Sequence, residues 1–581
     1  MSSVVTVKTN TATAAGRQPS LEMLARTRMR QLQVEPVLTL AAIVIVSLWA
    51  TTTGLTKSLP YSSEVDEPTF VNAAVHIAAT GDLNPHWFGH PGATVIYPLA
   101  VMYRLGGPGF GPGDLQALFA ADASNFYMLG RWLSVAYHVL AIPLVFLVGR
   151  ATLGTSAGLI GAWLTAMLPI AVAHAQVVRT DSPAMFFGLV SLWQCARIAR
   201  CATWQRIALG GLLVGLAIAT RYFMLALVPI LLSAVIIGTW SSDRRWQASI
   251  GHGLLGVAAV ALGFIVASPF ALLDRTTLEQ SLTAENETNH VGADGLSPIG
   301  NFSWYLSDAL PSDLTYPVAL VALAGAALIV RNRQRAALLL LGYMVLHLVL
   351  ISASALHWHR WTIQILPIAA LCCGYALQSV LPKVPTRSLQ LGIVGVVSLQ
   401  VVLQLLIYDA QQVQTPAGVL ARQWMVANVP ANAAVTEERY GPPLDGTGLH
   451  AQVRFSLSEK PLQEYARSGL VYLVASSAVY DRYFAEPYRY AEQVSFYQNL
   501  LGRGQVLAEF RAAFPGDAFL ALVAGGECNC SLPPVRGTPL IRIVQFGKLV
   551  QEEQSPPVGR LRSTNCSDRS TPRSLPIRTR R

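Results

Sequence analysis

Charge is what this sequence has least of. Only 13% of its 581 residues are Asp, Glu, Lys or Arg, against about 25% in soluble domains. Such a chain cannot clothe a globule in charge, so an ordinary soluble protein is excluded. Cysteine is equally uninformative, with seven residues in all. Cys195, Cys201, Cys372 and Cys373 lie in or beside apolar segments, and Cys528 and Cys530 form only a close Cys-x-Cys pair. That spacing provides neither a disulfide framework nor a zinc site. No repeat of fixed period is present. No small-residue cleavage site follows the first apolar run, so that run is expected to persist as an uncleaved span rather than a signal peptide.

What the chain does have is apolar length. It is 52% hydrophobic with a mean hydropathy of +0.42, and runs of the ~20 residues needed to cross a bilayer recur. After residues 1–36, a Ser/Thr-rich and then basic stretch expected to be disordered and cytoplasmic, Val37 to Thr56 carries no charge but Lys57 follows at once. Similar runs follow at 127–149, 155–174, 183–199, 207–222, 224–240, 252–272, 316–331, 336–354, 360–381 and 388–408, about eleven spans in all. The expected fold is therefore an all-α polytopic membrane protein. The formal charge of +10 does not argue for nucleic acid, because the arginines sit in short loops and in the C-terminal tail. Alternate connections carry Arg150; Arg197, Arg200 and Arg206; Arg244 and Arg245; Arg331, Arg333 and Arg335; and Lys383 with Arg387. The positive-inside rule places these, with the N-terminus, in the cytoplasm. The segment 92–106 is apolar but short, and counting it would invert every later loop. It is read as an interfacial or re-entrant helix.

With that orientation, residues 37–410 form a membrane domain whose external loops are 57–126 and 273–315. An odd number of spans sends residues 411–555 to the external (periplasmic) side of an inner or plasma membrane. There a helix at Ala417–Asn428, short β-rich runs at Ala433–Thr436, Tyr472–Ala475 and Ile541–Phe546, and a helix around Tyr490–Leu501 imply a small soluble α/β domain. Residues 556–581, basic and rich in Ser, Thr and Pro, read as a disordered tail.

One stretch stands out against this background. Glu64, Asp66 and Glu67 directly follow the first span and are succeeded by His86 and His90. A solvated loop flank is the ordinary explanation of three acids in four positions. Yet ionisable groups beside lipid are costly and tend to be functional. Thr69 to Ala79 has apolar residues at helical spacing, so a surface helix would hold Asp66 and Glu67 at headgroup depth. Asp181 opens a later helix, where the dipole favours a carboxylate; capping is the plain structural alternative. Arg179, Arg221 and Arg360 lie at the external ends of spans, where each alone is a natural snorkelling anchor. Together with these acids and His86, His90, His357 and His359, they would hold an anionic phosphate beside a base. That combination suits transfer of a sugar from a lipid phosphate, in which the acceptor hydroxyl needs a general base and the departing phosphate needs positive charge. A single carboxylate acting from the far face of the sugar would invert the anomeric carbon.

The same residues carry a resemblance. An Asp-Glu pair in the first external loop, His90-Pro91 before an apolar helix, Arg179-x-Asp181 opening a span, Gly-Leu-Ala-Ile-Ala-Thr-Arg-Tyr at 215–222 and His359-Arg360-Trp361 are together similar to the GT-C glycosyltransferases. The nearest group is glycosyltransferase family 39, with the protein O-mannosyltransferases and the aminoarabinose transferase acting on lipid A. The similarity covers roughly residues 37–410. It implies a GT-C-like catalytic domain, a polyprenyl-phosphate-linked sugar donor and a lipid, glycan or protein acceptor. It also implies catalytic roles for Asp66, Glu67 and Asp181, with Asp66 as base, and substrate contacts from His90, Arg179, Arg221, His359 and Arg360. No cofactor is required by this reading, although Asp66, Glu67 and Asp181 offer ligands for a divalent cation. The chain departs from the mannosyltransferases in having His-Pro-Gly at 90–92 where they tend to have His-Pro-Pro. It also lacks a beta-trefoil-sized insertion in its external loops, so protein O-mannosylation is not implied. The competing class is a transporter or flippase for a lipid-linked or anionic substrate. Its usual marks are internal repeats and charges at mid-membrane, and here the charges gather at span ends.

Overall fold

A computed structural model describes residues 21–61, 64–106, 114–240, 245–285, 291–467, 471–511 and 539–546. Arg244, Cys528, Cys530 and the basic tail 556–581 lie outside the described residues. The structure is mostly helical, and each of the eleven apolar runs contains a helix. Among the described residues, however, only six helices are long and apolar enough to cross a membrane, or eight if each of two bent pairs is one span. The shortfall has a physical reason. The helices Trp204–Thr220 and Leu366–Val380 have 17 and 15 residues, and Asp181–Arg200 carries charge at both ends. Leu366 to Leu377 is buried throughout. A helix enclosed by its neighbours need not match the bilayer in length, because protein rather than lipid surrounds its ends.

Small residues let these inner helices close on one another, as is common where helices pack in lipid. A Cβ at Gly374 would lie 2.5 Å from the Ala157 carbonyl oxygen, and one at Gly158 2.7 Å from that of Phe146. The run 155–174 is broken by 62° between Thr155–Met167 and Pro169–Ala175. Pro169 has no N–H to continue the ladder and holds Leu168 extended (ψ 113°). A 117° bend separates Pro298–Leu314 from Tyr316–Arg331. The first long helix begins at Leu21, inside the stretch read from sequence as disordered.

Between the first and second long spans, the helices Glu67–Thr80 and Ala93–Arg104 pack together over a separate apolar cluster of Phe70, Val71, Ile77, Ile96, Leu99 and Phe126. Ala93–Arg104 has 12 residues and reaches about 18 Å, well short of a ~30 Å hydrocarbon layer.

Beyond the last long helix, Arg387–Gln412, a five-stranded sheet forms. Its strands are β1 (Ala434–Glu438), β2 (Ala451–Arg454), β3 (Val471–Ser476), β4 (Gln505–Phe510) and β5 (Ile541–Phe546), in the order β2-β1-β3-β5-β4. β2, β1 and β3 run parallel, and β5 is antiparallel to both β3 and β4. β3 is buried at every residue, which explains why its apolar run was legible. The sheet edges β2 and β4 were not anticipated, since edge strands are half solvated and lack a clean pattern. This unit is fastened to the membrane domain by Arg489, which pairs with Asp294 at 3.0 Å, and by Arg422 stacked over Tyr61 at 4.5 Å.

Candidate active site

Four breaks in the helical ladder deliver the polar residues to one place. The chain bends after the first span so that Asp66 sits at the N-cap of Glu67–Thr80, yet its side chain makes no capping bond and turns elsewhere. The irregular segment after Ala175 carries Arg179 and leads into Asp181. Arg221 lies in extended backbone (φ −156°) between Trp204–Thr220 and the short turn Tyr222–Ala226. Arg360 belongs to the single turn His359–Thr362. Irregular backbone among membrane helices is tolerated where protein encloses it, and Arg179, Asp181 and Arg221 are buried.

Asp66 pairs with Arg179 and lies 3.7 Å from Arg360 Nη1. Asp181 pairs with Arg221 and lies 3.5 Å from both Arg179 Nε and His174 Nδ1. Arg179 thus bridges the two acids, and Glu64 approaches its other face at 3.5 Å. Asp181 is sealed at 1% exposure, whereas Asp66 keeps 36%. Of the two acids bridged by Arg179 Nη2 and Nε, Asp66 is therefore the one an incoming molecule can reach, and Glu64 beside it is exposed as well. Burial pushes the Asp66 carboxyl up, but Arg179 and Arg360 outweigh it and hold it down at about 2. Burial, reinforced by Arg221 and Arg360, lowers the imidazole of His90 to about 3, so it is neutral at ordinary pH. Its ring stacks edge-on against Trp87 at 5.7 Å.

The cations are not all satisfied. Nε and Nη2 of Arg221 and Nε of Arg360 are buried without a hydrogen-bond partner. Buried donors are normally paired, so these call for an acceptor. Arg360 is further held by stacking over Trp358 at 4.8 Å.

Not every expected residue joins this cluster. Glu67, completely buried, is taken by Arg131, which donates Nε to Oε1 at 2.9 Å and Nη2 to Oε2 at 2.8 Å; the Val178 N–H donates to Oε1 as well. These bonds tie Glu67 into the scaffold around Arg131. His359 is turned aside too: its Nδ1 meets Asp313 Oδ1 at 3.0 Å, and Trp304 packs on its ring at 4.8 Å. A divalent cation does not fit Asp66, Glu67 and Asp181, because each of these carboxylates already faces a guanidinium. His174 and Glu285 were missed in the sequence. His174 closes an otherwise uncharged apolar run, a signal that was available. Glu285 packs on Gly89, where a Cβ would lie 2.7 Å from its Oε1, and burial raises its carboxyl; nothing local marks it.

His90 and Arg221 are linked through backbone. Gly92 donates its N–H to the Thr220 carbonyl at 3.4 Å, and Thr94 and Thr220 hydroxyls meet at 2.9 Å. Gly92 has φ +60°, closed to proline with its φ near −65°, which explains His-Pro-Gly here. From Thr94 an apolar cavity of about 480 Å³ extends along Tyr97, Tyr137, Phe187, Leu216 and Val266, the last 71% exposed on the outer surface.

Residues 115–272 match the family model described as dolichyl-phosphate-mannose-protein mannosyltransferase, a GT-C glycosyltransferase family, and bear out the resemblance seen in the motifs. No curated protein sequence matches the chain. Among solved structures, ArnT from Cupriavidus metallidurans in the apo state is 15% identical with a TM-score of 0.49, covering 90% of this chain and 100% of that one. The same protein bound to undecaprenyl phosphate is 14% identical with a TM-score of 0.47, covering 89% and 99%. The archaeal oligosaccharyltransferase AglB from Archaeoglobus fulgidus, in complex with an inhibitory peptide and a dolichol-phosphate, is 12% identical with a TM-score of 0.45, covering 79% and 71%. These likenesses are too distant to carry function.

Proposed function

We propose that this protein is a multi-pass membrane glycosyltransferase that moves a sugar from a polyprenyl-phosphate donor to an acceptor hydroxyl on the external face of the membrane. The observation that carries the reading is the open arginine cluster: Arg179, Arg221 and Arg360 around Asp66 and Asp181, with buried guanidinium donors still unpartnered. A phosphate is the acceptor that suits such donors, since guanidinium forks match its oxygens. The adjacent apolar cavity gives the lipid tail a path toward the bilayer, and the family match over 115–272 supports the same chemistry.

In the mechanism that follows, donor phosphate draws Arg179 and Arg360 away from Asp66. Losing those cations raises the Asp66 carboxyl toward the ordinary range, and a weak base becomes a useful one. Asp66 then takes the proton of the acceptor hydroxyl while the hydroxyl oxygen attacks the anomeric carbon. The bond from that carbon to the phosphate oxygen breaks, and the electron pair leaves with the phosphate, whose charge the arginines offset. No covalent sugar–enzyme bond forms, so the anomeric configuration inverts. Asp181, sealed beside Arg221 and His174, orients the cations rather than meeting substrate. The N-terminus and the Arg-rich loops are cytoplasmic, and the sheet unit sits externally above the site.

Mass spectrometry of lipids and envelope glycans, in cells with and without the protein, tests this reading. We expect one glycan to lose a sugar while its polyprenyl-linked donor accumulates, with Asp66→Asn reproducing the loss. Identical glycan profiles and an unchanged donor pool would reject it. A reporter fused after residue 410 that is active only in the cytoplasm would reject the orientation.

A further inference from the structure

Away from the arginine cluster, three ligand-bearing side chains meet at the far end of the helix Glu67–Thr80. His76 projects from its last turns. Gly81, in the left-handed conformation at φ +79°, closes the helix and reverses the chain, and Asp82 and His86 follow. His86 Nε2 lies 2.9 Å and His76 Nε2 3.9 Å from the same oxygen, Asp82 Oδ2. One ligand atom from each of the three lies within 4.8 Å of the others. Two imidazole nitrogens and a carboxylate oxygen about a common point are the donor set of a zinc-type ion.

Further observations favour a ligand over a plain surface hydrogen bond. His76 Nε2 is buried and has no hydrogen-bond partner, although the Asp82 oxygen it faces is in view. The carboxylate is aimed by a bond that leaves Oδ2 to the histidines: Asp82 Oδ1 accepts the Asn84 N–H at 2.9 Å. Asn84 in turn donates Nδ2 to Asp274 Oδ2 at 2.9 Å, so a second carboxylate from another element adds negative field. Partners of this kind fix the orientation of metal ligands.

We propose that His76, Asp82 and His86 bind one divalent zinc-type ion. The ion ties the C-terminal end of the helix that begins at Glu67 to the loop leading into Trp87 and His90. It also fixes the backbone of Leu83, whose carbonyl accepts Tyr97 Oη at 3.1 Å and whose side chain lines the apolar cavity. The ion would therefore order the rim of that cavity at a distance from the reacting groups.

The test uses the full chain purified in detergent, stripped with a chelator and titrated with zinc chloride. Calorimetry and elemental analysis are expected to show one zinc per chain, with zinc raising the unfolding temperature. His76→Ala, Asp82→Asn and His86→Ala should each weaken binding more than 10-fold, and Asn84→Ala by about 10-fold through lost orientation. Magnesium and calcium, which take oxygen ligands, should not compete. Cobalt(II) absorption in the wild type, absent from the His76→Gln and His86→Gln proteins at unchanged apo unfolding temperature, would separate ligation from misfolding. Zinc stoichiometry equal in the wild type and the His76→Ala/His86→Ala double variant would overturn the site. None of these readouts depends on sugar transfer, so the proposal stands or falls apart from the function proposed above.

Discussion

Asp66 and Glu67 are neighbours in the chain and opposites in the fold. Glu67 is completely enclosed and fully satisfied, held by both arms of Arg131 and the Val178 N–H, while Arg131 also donates to the carbonyls of Leu55 and Lys57. Asp66 is reachable and belongs to a set whose cations retain unpartnered donors. This closed pair locks the start of the helix Glu67–Thr80 to the helix Ser124–Thr152 and to the turn that follows the first helix. The cluster around Asp66 keeps buried donors of Arg221 and Arg360 without a partner. Satisfaction, rather than the mere presence of charge, separates Glu67 from Asp66.

The sharpest break of this comparison is at Asp66. Asp66→Asn keeps the size of the side chain but cannot take a proton, and turnover should fall ~10²–10⁴-fold with donor binding largely retained. Wild-type turnover from a folded Asp66→Asn protein would remove the catalytic assignment. At Glu67 the effect should fall on stability instead. Glu67→Gln leaves Arg131 as an uncompensated buried charge, and a loss of about 3–5 kcal/mol is expected. The check is denaturation of the purified protein, together with turnover per folded molecule; a large drop in the latter at unchanged stability would move Glu67 into the site.

Arg360 gives a middle-sized effect. Arg360→Lys keeps the charge and loses the fork and the stacking on Trp358, so donor affinity should weaken by about 10-fold, and by more in Arg360→Ala, from hydrogen bonds to a charged group worth about 1.5–3 kcal/mol. Equal affinities in all three proteins would make Arg360 an anchor only. The last effect concerns pH and is read as a slope of stability rather than as a loss of affinity or turnover. His90 is lowered to about 3 from an unfolded value near 6.5, so the unfolded chain binds the extra proton between these values. Its contribution is complete above pH ~6.5 and is lost as pH falls toward 3. Asp66, held at about 2, contributes above pH ~3.9 and loses that contribution as pH falls through its folded value. His90→Gln should therefore flatten the stability curve between pH 6.5 and 3 and leave the lower limb in place. An unchanged slope in that window would show that His90 carries its proton in the folded state.

Much of this molecule follows from periodicity and composition, because those report the solvent each segment must face. Long apolar runs mark the helices from Val37 to Tyr408, the buried strands β1, β3 and β5 show as short β-rich runs, and the placement of Asp66, Asp181 and the arginines at span ends marks one polar region. The motifs also carried the GT-C resemblance, which the family match over 115–272 supports. What local pattern cannot contain is the partner of each charge. Glu67 and Asp66 are indistinguishable in the sequence, and only the packing of the second long helix brings Arg131, 64 residues away, to one of them. His359 stands beside Arg360 in the chain, but Asp313 claims it from 46 residues away. Helix length alone does not count the spans, since helices shielded by neighbours escape the constraint that lipid imposes on exposed ones. Desolvation and pairing are properties of three-dimensional surroundings, so the tertiary structure alone decided which carboxylate is enclosed and which stays within reach of solvent.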